Sequence, residues 1–126
     1  MNLTHGLRRL AQINRNGVAT GFEGRRRTWG EVAARVARAA SGLRDLGAAE
    51  GERVAILSLN SDLYLEAYLA AAWAGAVIVP LNVRWSAIEN HDALEDCRAK
   101  ILIVDRAFAE LGAEIAAGFP GMALVY

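Results

Sequence analysis

The stretch NSDLYLEAYLAAAWAGAVIVPLNVR, Asn60 to Arg84, decides the fold. Asn60, Ser61 or Asp62 can cap a helix, because each offers a side-chain oxygen to the unpaired N–H groups of a first turn. From Leu63 to Ala74 the only charge is Glu66, so the helix is expected to be buried. Gly75 is its natural stop, since glycine enters the left-handed conformation without a Cβ penalty. Val77, Ile78 and Val79 then favour a strand, and Pro80, which has no N–H to donate, ends the pairing. The stretch predicts a buried helix followed by a buried strand.

Outward from it, the same alternation recurs. Arg53 to Leu57 reads as a short apolar strand before the central helix, and Ile101 to Val104 as another after it. Ser86-Ala87-Ile88-Glu89 is a capping box that starts a helix to about Cys97, and Thr28-Trp29-Gly30-Glu31 is a second one starting a longer helix. In the latter Val32, Val36, Leu43 and Leu46 form the inward face, and Gly47 stops it. Glu31 and Arg35 stand four apart as a candidate surface pair. Asp105 can cap a helix carrying Phe108, Leu111 and Ile115 on one face, closed by Gly118 and the Phe119-Pro120-Gly121 turn, with a last strand over Met122 to Tyr126. Near the start, Leu3, Leu7, Leu10 and Ile13 make one stripe on a short helix opened by Thr4 or its neighbours and closed by Asn16-Gly17. Val18 to Phe22, Glu23-Gly24 and Arg25 to Thr28 make a hairpin. Single helices between apolar strands imply right-handed crossovers. The expected architecture is α/β: a parallel sheet, mixed at its edge, with helices on both faces and one domain over residues 1–126.

Composition narrows the function. Fourteen basic and fourteen acidic residues cancel, so no global field draws in nucleic acid or an anionic membrane. The run Arg25-Arg26-Arg27 reads as a solvated face. Counted with glycine and without tyrosine, 77 of 126 residues are apolar, about 61%, against the roughly 45–50% usual for globular chains; alanine, at 25 residues, supplies much of the excess, and the rest hints at surface meant for a partner. Cys97 is alone, so no intramolecular disulfide or cysteine zinc cluster can form, which suits a reducing cytoplasm. Leu63 to Leu81 reaches the lower length of a membrane span, but Glu66, Gly75, Pro80 and the alanines argue against one.

Chemistry is thin in the residues themselves. Gly42 and Gly47 have the outer spacing of a phosphate loop, yet Ala48 stands where the lysine belongs and no glycine triad fits a dinucleotide fingerprint. Ser58, Ser61 and Ser86 lack a nucleophile-elbow context. His5 and His91 have no evident ligand set, and Asp92, Glu95 and Asp96 read as a solvated helix face, so no metal site and no catalytic residue is expected.

A resemblance adds more. Thr28-Trp29-Gly30-Glu31-Val32, Gly51-Glu52-Arg53-Val54-Ala55-Ile56-Leu57, Asn60-Ser61, Ala74-Gly75-Ala76-Val77-Ile78-Val79-Pro80-Leu81-Asn82-Val83-Arg84 and Ala99-Lys100-Ile101-Leu102-Ile103-Val104-Asp105 resemble, in order and spacing, the opening of an adenylate-forming acyl-CoA synthetase. The resemblance spans nearly the whole chain but about the first quarter of a typical member. It implies the first part of a large N-terminal domain, with the C-terminal lid domain absent. It also implies a two-step ligase in which a carboxylate attacks the α-phosphate of ATP, and the thiol of coenzyme A then displaces AMP. Pro80-Leu81-Asn82 leans towards fatty-acyl and aryl-acyl ligases, a fatty acid being the expected substrate. ATP, Mg and coenzyme A are implied for an intact member and none is expected on this chain, because the family's phosphate loop, magnesium-binding Glu and C-terminal lysine all lie further on. The chain alone is therefore expected to be inactive. By the same resemblance Arg84 is the one cofactor-binding candidate, facing the nucleotide phosphates of coenzyme A. Trp85-Ser86-Ala87-Ile88-Glu89 departs from the usual Leu, Thr or Ser followed by Pro-Glu-Glu. The expected partner is the rest of a synthetase chain or, alternatively, a second copy of a standalone, non-catalytic module.

Overall fold

The computed structural model describes residues 2–126. Two sheets and five helices follow in the order α1 (His5–Ile13), β1 (Val18–Phe22), β2 (Arg25–Thr28), α2 (Trp29–Asp45), β3 (Arg53–Leu57), α3 (Asp62–Ala74), β4 (Val77–Pro80), α4 (Ala87–Cys97), β5 (Ile101–Val104), α5 (Ala109–Ala116) and β6 (Ala123–Val125). A 3₁₀ turn, Arg106–Phe108, leads into α5.

Four strands form the main sheet in the order β4-β3-β5-β6, and all three pairings are parallel. The antiparallel pair stands apart as its own two-stranded sheet. At its turn both Glu23 and Gly24 have positive φ, 49° and 77°, which matches the right-handed strand twist and keeps the hairpin tight.

Alternate residues of the sheet feed two cores. Val54 and Ile101 point to one face, where α2 brings Val32, Val36, Ala40 and Leu43, and α3 brings Ala70, Ala71 and Ala74. Ala55, Leu57, Leu102 and Val104 point to the other, under Leu94 of α4 and Ile115 of α5. This two-sided covering follows from the strand order. The chain leaves β3 in one direction to reach β4, then crosses back over β3 to β5, so right-handed connections must lie on opposite faces.

The helix starts are those the sequence spells out. Thr28 Oγ accepts from Glu31 N at 3.2 Å and Glu31 Oε2 accepts from Thr28 N at 2.8 Å; Ser86 and Glu89 repeat the exchange at 3.3 and 2.8 Å. The Ser86 hydroxyl also donates to Glu89 Oε2 at 2.9 Å, and the two bonds Glu89 accepts, first from the backbone N–H and then from the hydroxyl of Ser86, lower its carboxyl below the ordinary value. Ser61 caps α3 through Tyr64 N, and Gly75 ends it at φ 82° with its N–H on Ala71 and Ala72. At α1 the N-cap is Thr4, which makes no side-chain cap bond; its N–H and hydroxyl both donate to Asn2 Oδ1.

Three expectations change. The helix and strand of residues 60–84 are not uniformly buried: β4 is an edge strand with Val77 half exposed, and α3 exposes Leu63 and Leu65 while burying Asp62 and Glu66. The stripe on α1 is buried only at Leu7, with Leu3 64% and Ile13 68% exposed. That helix starts at His5 and stops at Ile13, so only its middle turn meets α2 and α3, where the Arg8 guanidinium lies 3.6 Å over the Trp73 ring. Glu31 and Arg35 do not pair: Glu31 is occupied by the cap, and Arg35 reaches Glu66 instead.

Candidate functional site

Ligands of open α/β sheets collect at the carboxyl ends of adjacent strands whose connections leave in opposite directions, because the helices diverge there and leave a crevice. In this chain those strands are β3 and β5. The crevice exists, with a volume of about 550 Å³ and Ser58, Ser61, Tyr64, Asp105, Arg106 and Tyr126 among its lining.

Its polar groups are mostly committed to holding the walls. Ser58 Oγ donates to the Leu59 carbonyl at 2.9 Å and lies 3.4 Å from Asp105 Oδ2. Asp105 Oδ1 accepts from Ala107 N at 3.1 Å, starting the 3₁₀ turn, and Ser61 Oγ caps α3. Tyr64 packs on Tyr68 with ring centroids 5.6 Å apart. Burial, and then the neighbouring phenol, push the Tyr64 hydroxyl's pKa up, so it stays a neutral donor. Arg106 is exposed and makes no ion pair among the described residues. The crevice thus has an apolar floor, one free cation and a phenol, and its lining contains no histidine, lysine or cysteine. Such a set can hold a ligand but has no general base paired with a nucleophile.

Arg84 lies in the loop after β4, at the same end of the sheet but outside the crevice lining. Its side chain is exposed. The loop is held by short-range bonds: Asn82 Oδ1 accepts from Arg84 N at 2.9 Å, and the fully buried Asn90 donates from Nδ2 to the carbonyls of Trp85 and Ser86, 3.2 Å each. Arg84 is therefore a cation on a fixed turn.

Two of the three consecutive arginines are not simply solvated: Arg26 is exposed, but Arg25 and Arg27 turn to the start of α3. Arg25 Nε and Nη2 grip Asp62 at 2.8 and 2.6 Å, Arg27 adds a second bond to Asp62 and lies 3.5 Å from Glu66, and Arg35 Nε meets both Glu66 oxygens at 3.0 and 2.9 Å. The Asp62 side chain is 1% exposed. Hydrogen bonds from Arg25, then Arg27, outweigh desolvation and hold its carboxyl well below the usual range. The signal was present in two periods: alternation in a strand puts Arg25 and Arg27 on one face, and the four-residue step in a helix puts Asp62 and Glu66 on one face.

Of the remaining candidates, His5 is exposed on α1, and Cys97 is half-buried with its thiol on the Leu94 carbonyl. His91 comes together with Asp92 and Glu95, not with Asp96. Among the described residues no helix is long and apolar enough to cross a membrane.

The profile of the family described as AMP-binding enzyme matches residues 7–120. A feruloyl-CoA synthase from Amycolatopsis is 43% identical over 110 residues, which cover 87% of this chain and 22% of that protein. A long-chain-fatty-acid–CoA ligase from Thermus thermophilus is 41% identical over 80 residues, 64% of this chain and 15% of that one. Among solved structures, a fatty acyl CoA synthetase from Mycobacterium tuberculosis superposes with a TM-score of 0.89 at 32% identity, over 98% of this chain and 26% of that one. An anthranilate CoA ligase in complex with anthranoyl-AMP superposes with a TM-score of 0.91 at 26% identity, over 99% of this chain and 25% of that one. The chain thus spans between 15% and 26% of the length of these relatives.

Proposed function

The chain belongs to the family of AMP-binding enzymes, and we propose that it forms the N-terminal framework of an ATP-dependent carboxylic acid–CoA ligase working through an acyl-adenylate. The observation that carries this reading is the family match over residues 7–120, together with a superposition that covers nearly all of the chain. In that role the chain supplies shape rather than chemistry. The acyl-adenylate step needs cations and donors placed around the α-phosphate before charge develops there. The crevice described above has one unpaired guanidinium and no such cluster, so by itself the 126-residue chain does not turn over.

The acid is a fatty or an aromatic one. Relatives named for long-chain fatty acids and for ferulate match at similar identity, which supports both. Arg84 binds the nucleotide phosphates of coenzyme A, a role that suits an exposed guanidinium on a backbone-held turn because its planar fork grips phosphate bidentately. ATP, Mg and coenzyme A belong to the assembled enzyme. The lone Cys97 suits the cytoplasm, where thiols stay reduced.

The test is a graft. The 110-residue stretch that aligns with the feruloyl-CoA synthase replaces its counterpart there, and feruloyl-CoA formation is followed. Activity is expected in the graft and no ATP–pyrophosphate exchange in the isolated chain with any fatty or aromatic acid. Exchange by the isolated chain would overturn the framework reading. In the graft, Arg84→Ala is expected to raise KM for coenzyme A about tenfold or more, the loss of one charge-assisted contact, while leaving the adenylation half-reaction unchanged.

A second reading has one observation in its favour. An apolar recess of about 330 Å³ opens beside β6, lined by Leu43, Leu46, Leu63, Ala67, Ile103 and Val125, with Leu46 and Leu63 each about half exposed. It fits a standalone module that assembles through this face.

A further inference from the structure

We propose that His91, Asp92 and Glu95, on the outer side of α4, form a binding site for a divalent first-row transition-metal ion of the zinc class. One donor atom from each residue lies within 4.8 Å of the other two. His91 Nδ1 is 3.9 Å from Asp92 Oδ1. Glu95 follows His91 by four residues, the helical step that sets two side chains one above the other. Asp96, which charge alone would group with these acids, is outside the set.

An imidazole held in place is what separates this cluster from an ordinary acidic helix face. The His91 ring stacks on Phe119 with centroids 4.5 Å apart and planes tilted by 31°. Its Cδ2–Nε2 edge rests against Gly118, where an added Cβ would come within 2.9 Å of both atoms. Glycine at this position is what lets the ring approach the turn after α5. With Nε2 turned towards that turn, Nδ1 is the nitrogen left facing Asp92, so the ordering of the ring is complete before any ion arrives. Asp92 and Glu95 are exposed and free to rotate. Tetrahedral donors about 2.1 Å from zinc stand about 3.4 Å from one another, so closing the site needs rotation of two surface carboxylates and no backbone movement.

The donor chemistry selects the ion. Two carboxylates balance a dication, and a neutral imidazole favours zinc, nickel or copper over magnesium and calcium, which prefer oxygen alone. Exposure of the site leaves the remaining coordination to water.

The test is calorimetric titration of Zn²⁺ into the 126-residue protein, with His91→Gln, Glu95→Gln and Asp96→Asn in parallel and Mg²⁺ as the competing ion. Saturable binding of one ion is expected, weakened about tenfold or more in His91→Gln and in Glu95→Gln, unchanged in Asp96→Asn, and not displaced by Mg²⁺. Glu95→Gln alters an exposed side chain only, so it decides the matter even if His91→Gln disturbs the packing on Phe119. The proposal fails if millimolar zinc gives no saturable binding, if neither His91→Gln nor Glu95→Gln weakens it, or if Mg²⁺ displaces the zinc.

Discussion

Asp62 is the residue on which the most interactions converge. It holds Arg25 in a two-point grip, takes a third bond from Arg27 and accepts from its own helix at Leu63 N. Replacing it by Asn keeps the size but leaves Arg27, whose side chain is only 14% exposed, with the longer 3.5 Å contact to Glu66 as its one carboxylate partner. Leaving a buried charge without its partner typically costs about 3–5 kcal/mol; with Arg25 46% exposed and free to turn to water, about 2–3 kcal/mol is the expectation for Asp62→Asn. The midpoint of urea unfolding measures it. The pH dependence has a definite sign. A carboxyl whose folded value is depressed contributes fully above its unfolded value of about 3.9, and the contribution is lost as the pH falls from there towards the folded value. Stability of the parent protein should therefore decline below about pH 4, and Asp62→Asn should flatten that decline. None of this was legible from charge counting, which sees three adjacent arginines and predicts solvent. A salt bridge between residues 37 apart in sequence leaves no local mark except the two periodicities, and those become informative only once strand and helix are placed side by side.

Elements were more legible than their surroundings. Both capping boxes, the glycine stop of α3 and the apolar strands are local devices, each determined by residues within one turn of the feature, and sequence alone locates them. What sequence could not give is which side of each element is covered, since that depends on partners far along the chain. The contact between α5 and β5 illustrates this. Gly112 sits where an added Cβ would lie 2.8 Å from both Cγ atoms of Val104, so the helix rests on the strand at a distance only glycine allows. Gly112→Ala should destabilise the protein by about 1–3 kcal/mol, the usual cost of overpacking. Val104→Ala in the same background should recover part of that loss, because it removes the atoms in conflict. A double-mutant cycle of denaturation midpoints would reveal the coupling; strictly additive effects would contradict the close approach.

For the whole molecule, the α/β class and the parallel sheet were readable because β3, β4 and β5 are short, largely apolar and each followed by one α-helix before the next strand. The crevice between β3 and β5 was not, since it depends on the strand order and no residue in it carries a recognisable motif. The recess beside β6 lies at the same scale. If its apolar lining serves self-assembly, light scattering of the purified chain should give a mass that rises with concentration, and Leu46→Glu, which places a charge in the opening, should return it to the mass of one chain. A monomer at all concentrations would remove the standalone-module reading and leave the framework reading untouched.

The strand order also bears on how the chain is made. β3 ends up between β4 and β5, yet β4 is synthesised first and can dock as soon as Pro80 has emerged. The other margin of β3 must then wait for Ile101, about twenty residues later, or about 1–4 s at ordinary rates of translation. Throughout that pause the ribosome holds a half-built sheet in which β3, buried at four of its five residues in the finished fold, is bare along one side. Slow decoding between those codons would lengthen the exposure, whereas α4, started by its own capping box, can form within the pause and cover the face over which β5 must arrive.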